Sequence, residues 1–158
     1  MEFNASNKYR SMQRAYEKLR KIQTNNGNEI SNADSQDAVE NFFNQCYHFK
    51  DWLKKDSRIL LQLDVEEFIT SSPCLSLAAD YCNMFKHAGL DRRGRSEKQL
   101  EKINTHVNFD LTPGGFIASS RLELTIDGEK YDALKLATEC MEEWDKFLDL
   151  NKVIFPDP

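Results

Sequence analysis

Two histidines in this sequence share a helix face with a carboxylate and an amide, a set that suits proton transfer. An imidazole titrates near neutral pH, and a nearby carboxylate can fix its tautomer and favour its charged form. Residues three or four positions apart are neighbours on a helix surface. Asn44 and Asp51 stand at these spacings from His48, and Asn83 precedes His87 by four positions with Asp80 a further turn away. Both sets are therefore candidates for general acid–base catalysis.

A plain structural interpretation of the same residues stays open. Polar side chains opposite an apolar stripe are what any helix at a protein surface shows. The catalytic interpretation requires the two helices to be neighbours, so that His48 and His87 share one cleft. The sequence alone does not decide between a shared cleft and two separate solvated faces.

Five basic residues are candidates for binding an anion. Lys50 and Lys86 each fall inside an apolar arc, one turn after a cysteine. A buried lysine is costly unless it is paired or its stem reaches solvent, so we expect either a lysine extended to the surface or an inward ion pair. Arg92, Arg93 and Arg95 form a short basic run that could contact a nucleic-acid backbone.

No sequence pattern indicates a metal or a cofactor. The two histidines and their aspartates lack a fixed metal-ligand spacing, and no phosphate-binding loop or nucleophile elbow is present. We therefore expect no metal and no cofactor. The four cysteines are Cys46, Cys74, Cys82 and Cys140, and they form no CxxC pair. Three of them lie on predicted apolar faces, which indicates buried thiols in a reducing compartment.

The periodicity of apolar residues predicts the elements that would hold these side chains. Helical spacing recurs over about 7–23, 35–55, 72–89 and 132–150, with a short helix from 64. Asp34 or Ser35, Asp64 and Ser72 are the expected caps. Residues 91–102 read as an exposed link, followed by alternating strands with a turn at Asp127-Gly128.

The predicted fold is mainly α, an up-and-down bundle of about four to five helices with a small antiparallel β-hairpin inserted before the last helix. One domain would span residues 1–158, with the hairpin at about 104–131. The composition, 40% hydrophobic and 11% aromatic, is that of a globular chain.

Charge is uneven along the chain. The net charge is −5, yet residues 1–24 carry six basic side chains against two acidic ones, and residues 123–158 carry ten acidic against four basic. Such asymmetry could orient an anionic partner toward the first helix, but two solvated helix faces of opposite sign are the simpler explanation. No apolar run could serve as a signal peptide or cross a membrane, so we expect a cytoplasmic location and no membrane contact.

The helical layout, together with the pattern Asp80-x-x-Asn83-x-x-Lys86-His87, resembles the HEPN superfamily. The resemblance covers roughly residues 7–90 and 132–150, with the hairpin as an insertion. It implies a small helical bundle of the kind found in defence, toxin–antitoxin and RNA-processing systems. Active members are dimeric, metal-independent ribonucleases with an arginine four to six residues before a histidine. Neither histidine here has that arginine, so only His87 matches, which implies an inactive or divergent member.

Two functional hypotheses follow. The first is a non-enzymatic interaction module of a defence, phage or mobile-element system, working as a homodimer or with a protein partner through Tyr47, Trp52 and the Phe116–Ile117 loop. The alternative is a metal-independent HEPN-like protein that binds or cleaves RNA. In that case His87 would be the acid–base residue and His48 would assist. The remaining candidates would orient the catalytic groups or bind the phosphate: Asn44, Lys50, Asp51, Asp80, Asn83, Lys86, Arg92, Arg93 and Arg95.

Overall fold

The fold is taken from a computed structural model. It describes the backbone of residues 2–24, 32–87, 100–112, 115–126 and 128–158, and the side chains of 2–23, 34–83, 123–125 and 128–158. Within these ranges the elements in chain order are α1 (Ala5–Thr24), α2 (Asn32–Lys55), α3 (Val65–Ser71), α4 (Pro73–His87), β1 (Leu100–Thr112), β2 (Gly115–Ile126), β3 (Glu129–Asp132) and α5 (Ala133–Leu150). The chain is mainly helical with an antiparallel hairpin before the last helix, as predicted.

Short polar side chains begin the helices, and most were predictable. Asp64 accepts hydrogen bonds from the backbone N–H groups of the first turn of α3, and Asp132 does the same for α5. Ser72 precedes Pro73 and accepts from the N–H of Leu75 at 3.5 Å. α1 starts two residues earlier than expected because Asn4 caps it, accepting from the N–H of Asn7 at 3.1 Å.

The expected cap of α2 is wrong. The helix begins at Asn32, so Asp34 and Ser35 lie inside its first turns rather than before them. An acidic side chain in the first turn interacts favourably with the helix dipole, so Asp34 fits this position as well as it would fit a cap.

The strands pair in the order β1-β2-β3, all antiparallel. Ile126 pairs with Glu129 across a two-residue turn, and Gly128 has a φ of +78°, as the predicted hairpin turn requires. β1 begins at Leu100, so the last part of the expected 91–102 link is strand. A register shift between Leu100 and Lys102 interrupts the alternation that would have indicated it. Residues 88–99 lie outside the described part.

Aromatic side chains from three helices meet in the core. Phe49 of α2 packs edge-on against Trp144 of α5, with ring centroids 5.1 Å apart, and Phe42 and Phe43 stand at 5.2 Å. Tyr9 lies beside Phe49, and Phe3 beside Trp52, so α1 and α2 run antiparallel. α5 runs antiparallel to α1, because Tyr16 bonds Thr138 and Tyr9 bonds Asp145. The helices thus form the predicted up-and-down bundle.

Candidate functional site

His48 lies on α2 with both ring nitrogens facing polar neighbours. Its Nδ1 is 3.4 Å from Asp51 Oδ2, and its Nε2 is 3.7 Å from the Sγ of Cys82 on α4. The Cys82 thiol donates a 2.9 Å hydrogen bond to Asn44 Oδ1, one turn before His48. The side chains of His48 and Asp51 are 42% and 38% exposed, whereas Cys82 is buried. Two of the predicted polar residues, Asn44 and His48, therefore contact a thiol from the neighbouring helix, and Asp51 contacts His48.

Cys82 is the member of this group that sequence reasoning assigned to the core. Its position on the apolar stripe of α4 gave no sign that it faces a polar edge of α2. The four cysteines, all in the described part of the chain, are thiols and are buried, as expected. Only the packing of α4 against α2 distinguishes Cys82 from the others, and no sequence pattern encodes that contact.

Lys50 forms an inward ion pair, one of the two alternatives expected for it. Its Nζ lies 2.8 Å from Glu66 Oε1 on α3 and 3.2 Å from Asp51 Oδ1, and its side chain is 10% exposed. Burial lowers the pKa of Lys50, but the hydrogen bond to Glu66 and the neighbouring acidic groups raise it more. Burial tends to raise the pKa of Asp51, but the charge of Lys50 and the hydrogen bonds from Lys50 and His48 together lower it. Lys54 binds the same Glu66 oxygen at 2.8 Å.

The polar residues of α4 do not form the solvated face that one interpretation expected. Ser76 is 2% exposed and Asp80 is 6% exposed. The Ser76 hydroxyl donates to the carbonyl of Ile69 at 2.8 Å, which ties α4 to α3. The cause is the position of α4, which packs against α2, α3 and α5, so that its polar side chains are covered too. Asn83, beyond Cys82, is half-buried.

The other predicted site residues fall outside the described side chains. Lys86 and His87 belong to the last turn of α4, of which only the backbone is described. Arg92, Arg93 and Arg95 lie wholly outside the described residues. The shared cleft of His48 and His87 therefore stays a prediction.

The expected aromatic interface differs from the structure. Tyr47 and Trp52 are partly buried and pack against the core. Phe116 and Ile117 belong to β2, where they pair with Leu111 and Asp110, and not to a loop. Gly115, the first residue of β2, already pairs with Thr112 at the end of β1.

Among the described side chains, an exposed apolar surface lies at one end of the bundle. A groove of about 700 Å³ runs between the start of α1, the chain between residues 56 and 62, and the segment that follows α5, residues 151–156. We call it the tail groove. Among its lining residues, Leu60 is 83% exposed and Ile154 is 90% exposed. Large aliphatic side chains this exposed, close together beside a groove, are typical of binding surfaces.

Hydrogen bonds hold the groove in shape. Asn151, 3% exposed, accepts from the N–H groups of Gln62 and Leu63 at 2.7 and 2.9 Å. Arg10 donates to the carbonyl oxygen of Pro156 at 2.7 Å, which fixes the tail to α1. Arg58 donates to both oxygens of the buried Asp56 at 2.8 Å. The two sides of the groove are therefore tied together before any partner arrives.

A row of cations continues from the groove along α1. Arg10, Arg14, Lys18 and Lys21 line a second, shallower concavity together with Glu17, and Arg10 lines both. We call these four residues the basic face. Glu17 is already engaged, because Arg20 binds its carboxylate at 2.9 Å. The structure thus gives the positive start of the chain a definite place beside the exposed aliphatic side chains.

No protein-family model, no curated protein and no solved structure matches this chain. Among the described side chains, no three histidine, cysteine or acidic residues are grouped so that they could hold a metal ion. Within the described residues, no helix has both the length and the apolar character needed to cross a bilayer.

Proposed function

We propose that the protein is an interaction module that binds an acidic segment of another protein in the tail groove and along the basic face. The observation that carries this proposal is the pair of exposed aliphatic side chains, Leu60 and Ile154, on a groove whose walls are already hydrogen-bonded. The HEPN-like pattern at residues 80–87, which lacks the arginine of active ribonucleases, is in keeping with a binding role in a defence, phage or mobile-element system.

Two physical effects support this choice of partner. Covering Leu60 and Ile154 would remove apolar surface from water, worth roughly 25 cal/mol per Å² before the costs of association. Two cationic side chains, Arg10 and Lys152, line the groove, and the charge of a third, Arg58, is balanced by the buried Asp56. A segment that carries apolar side chains between aspartates or glutamates would match both features.

Selection from a displayed library of random short peptides tests this proposal. We expect wild-type protein to enrich peptides that combine acidic and bulky apolar residues. The double variant Leu60→Asp, Ile154→Asp should bind the selected peptides at least about tenfold more weakly, because it loses apolar contact and adds like charge. Binding to wild type should also weaken as salt increases.

A matched control is available in the same connection between α2 and α3. Leu63 is 42% exposed but does not line the groove, so Leu63→Asp should bind the selected peptides as wild type does. A second copy of this chain is another candidate occupant, because residues 123–158 carry ten acidic side chains against four basic ones. Sedimentation of a dimer that the double variant abolishes would assign the groove to self-association and overturn the peptide proposal. Failure to enrich any acidic peptide would also overturn it.

RNA binding or cleavage without a metal is the second candidate function. It is favoured by His48, whose Nδ1 faces Asp51 at 3.4 Å while much of its ring is exposed, which is the arrangement of an oriented acid–base group. His87 would be the second such group. The basic face offers contacts for an RNA backbone.

Labelled RNA incubated with the protein in EDTA tests this candidate. Cleavage that is lost in His87→Ala and reduced in His48→Ala would support it. The variant Lys135→Ala, which changes an exposed cation in the first turn of α5, is the control and should cleave as wild type. Intact RNA after prolonged incubation, with no retarded band in a binding gel, would exclude it.

A further inference from the structure

We propose that Cys82 is a nucleophilic thiol, activated by His48 and oriented through Asp51, that small hydroperoxides modify. This site is distinct from the tail groove and does not depend on the proposed function. Three described side chains stand in a row from α4 to the surface of α2. The thiol is at the inner end, the imidazole in the middle and the carboxylate at the outer end.

The geometry is that of a nucleophile with its base. A cysteine is activated when a base lies within reach and a third group orients that base. His48 Nε2 is 3.7 Å from the Cys82 sulfur, a sulfur hydrogen-bond distance, and Asp51 holds the other ring nitrogen at 3.4 Å. The hydrogen bond from the thiol to Asn44 Oδ1 fixes the sulfur beside the ring at 2.9 Å.

A cation from a third helix adds to this environment. Burial lowers the pKa of Lys8 on α1, and the charges of Asp51 and Cys82 act in the opposite direction. Lys8 is therefore within electrostatic range of the sulfur, and its Nζ lies 5.8 Å from the centroid of the Trp52 ring. Thiolates form more readily in electropositive surroundings.

Surroundings rather than exposure separate Cys82 from the other thiols. Cys74 is more exposed, at 7%, and hydrogen bonds with Cys140 and Ser72 lower its pKa, but among the described side chains only Cys82 lies beside an imidazole. Cys46, Cys74 and Cys140 lie together in the core, where Trp144 donates to the Cys46 sulfur at 3.3 Å and Cys140 donates to the carbonyl of Cys74 at 3.4 Å. Burial raises the pKa of Cys140, which disfavours its thiolate. Cys82 is also buried, at 2% exposure, but it lies against a ring whose side chain is 42% exposed. Any reagent that reaches the sulfur must therefore be small.

The reaction with hydrogen peroxide balances with these groups alone. The thiol S–H turns from Asn44 Oδ1 to His48 Nε2, which takes its proton, and the Cys82 thiolate attacks one peroxide oxygen. An S–O bond forms and the O–O bond breaks, so the sulfur is oxidised to a sulfenic acid and the peroxide is reduced. The leaving hydroxide takes the proton from His48 and departs as water. Sulfenic acids of this kind are reversible by thiols.

Peptide mass spectrometry of the folded protein tests this proposal. The full chain is treated briefly at pH 7 with hydrogen peroxide and dimedone, which traps sulfenic acid, or with iodoacetamide. We expect Cys82 to carry the label before the three core cysteines do. The variant His48→Gln should slow labelling of Cys82 about tenfold or more, whereas Lys55→Gln, at an exposed position in the last turn of the same helix, should not.

The pH dependence separates activation from simple access. An unassisted thiol, with a usual pKa near 8.5, gains roughly thirtyfold in rate between pH 7 and pH 9. We expect a gain of less than about fivefold for Cys82 in the wild-type protein, and the full gain in His48→Gln. Labelling of a core cysteine first, or equal rates for Cys82 in both proteins, would overturn the proposal. Folding of each variant is checked by circular dichroism.

Discussion

The carboxylate of Asp56, buried directly after α2, accepts a hydrogen bond from the backbone N–H of Ala5 at 2.9 Å. The first turn of α1 is thereby tied to the end of α2, which lies next to it in the antiparallel pair. Arg58 holds the same carboxylate through its guanidinium and its own backbone N–H. This junction is one wall of the tail groove, so its strength bears on the binding surface.

The pH dependence of stability should report on Asp56. The hydrogen bonds from Arg58, opposed by burial and helped by the N–H of Ala5, lower the pKa of Asp56 to about 2. A lowered folded-state pKa stabilises the protein above the unfolded value, near 3.9, and this contribution disappears as pH falls toward 2. We expect a loss of about 1–2 kcal/mol from Asp56 between pH 5 and pH 2, measured by urea unfolding.

Asp56→Asn isolates this contribution from those of other carboxylates. In the variant an NH2 group replaces one carboxylate oxygen and faces the N–H donors of Arg58 or Ala5. The variant should therefore be less stable than wild type by about 2–3 kcal/mol at pH 7. The difference between the two proteins should then shrink as the pH falls below 4. A difference that stays constant down to pH 2 would contradict the assigned role of the carboxylate.

Asn151 should be the main polar contribution to the floor of the groove. Its Oδ1 accepts from the N–H groups of Gln62 and Leu63, and its amide N–H also donates to the carbonyl of Phe147 at 2.8 Å. We expect Asn151→Ala to lower the free energy of unfolding by about 2–3 kcal/mol, because three hydrogen bonds are lost at a buried position. Asn151→Asp keeps both acceptor interactions but puts a charged acceptor against the Phe147 carbonyl at a buried position, so it should also destabilise the fold at pH 7. Part of that loss relative to wild type should return at low pH, where the protonated carboxyl can donate to Phe147, and a loss that does not change with pH would contradict the assigned role of the amide donor.

Lys152 has a strained backbone conformation, and we expect its replacement by glycine to stabilise the fold. It adopts a left-handed conformation with φ of +57°, and the N–H of Val153 returns to the carbonyl of Leu148 at 2.9 Å, closing α5. Glycine adopts this conformation without the penalty of a Cβ atom, so Lys152→Gly should raise the free energy of unfolding by about 0.5–1 kcal/mol. Lys152→Ala keeps the strain and is the control. Thermal unfolding in which glycine is no better than alanine would contradict this.

Local signals in the sequence were sufficient for much of the fold. Asp64, Ser72 and Asp132 cap their helices through contacts within one turn, and the turn at Gly128 depends only on local backbone conformation. The start of β1 was missed because the register shift after Leu100 breaks the alternation on which strand prediction relies.

The site could be predicted only where its contacts lie within one helix. The pairing of His48 with Asp51 follows from their three-residue spacing. The approach of Cys82 does not, because it depends on how two helices pack. The tail groove was missed for the same reason, since it joins the beginning, middle and end of the chain. Leu60 and Ile154 follow no helical or strand period that would have marked them as a surface.

The central claim is that the tail groove binds an acidic, partly apolar segment, and the location of binding tests it most directly. A peptide from the library selection is titrated into 15N-labelled protein, and backbone amide shifts are followed by NMR. We predict that the largest shifts occur at Leu60, Ile154 and along α1 near Arg10, with little change near His48. Shifts that cluster around His48 and Asp51, or that spread without a focus at the groove, would contradict the account.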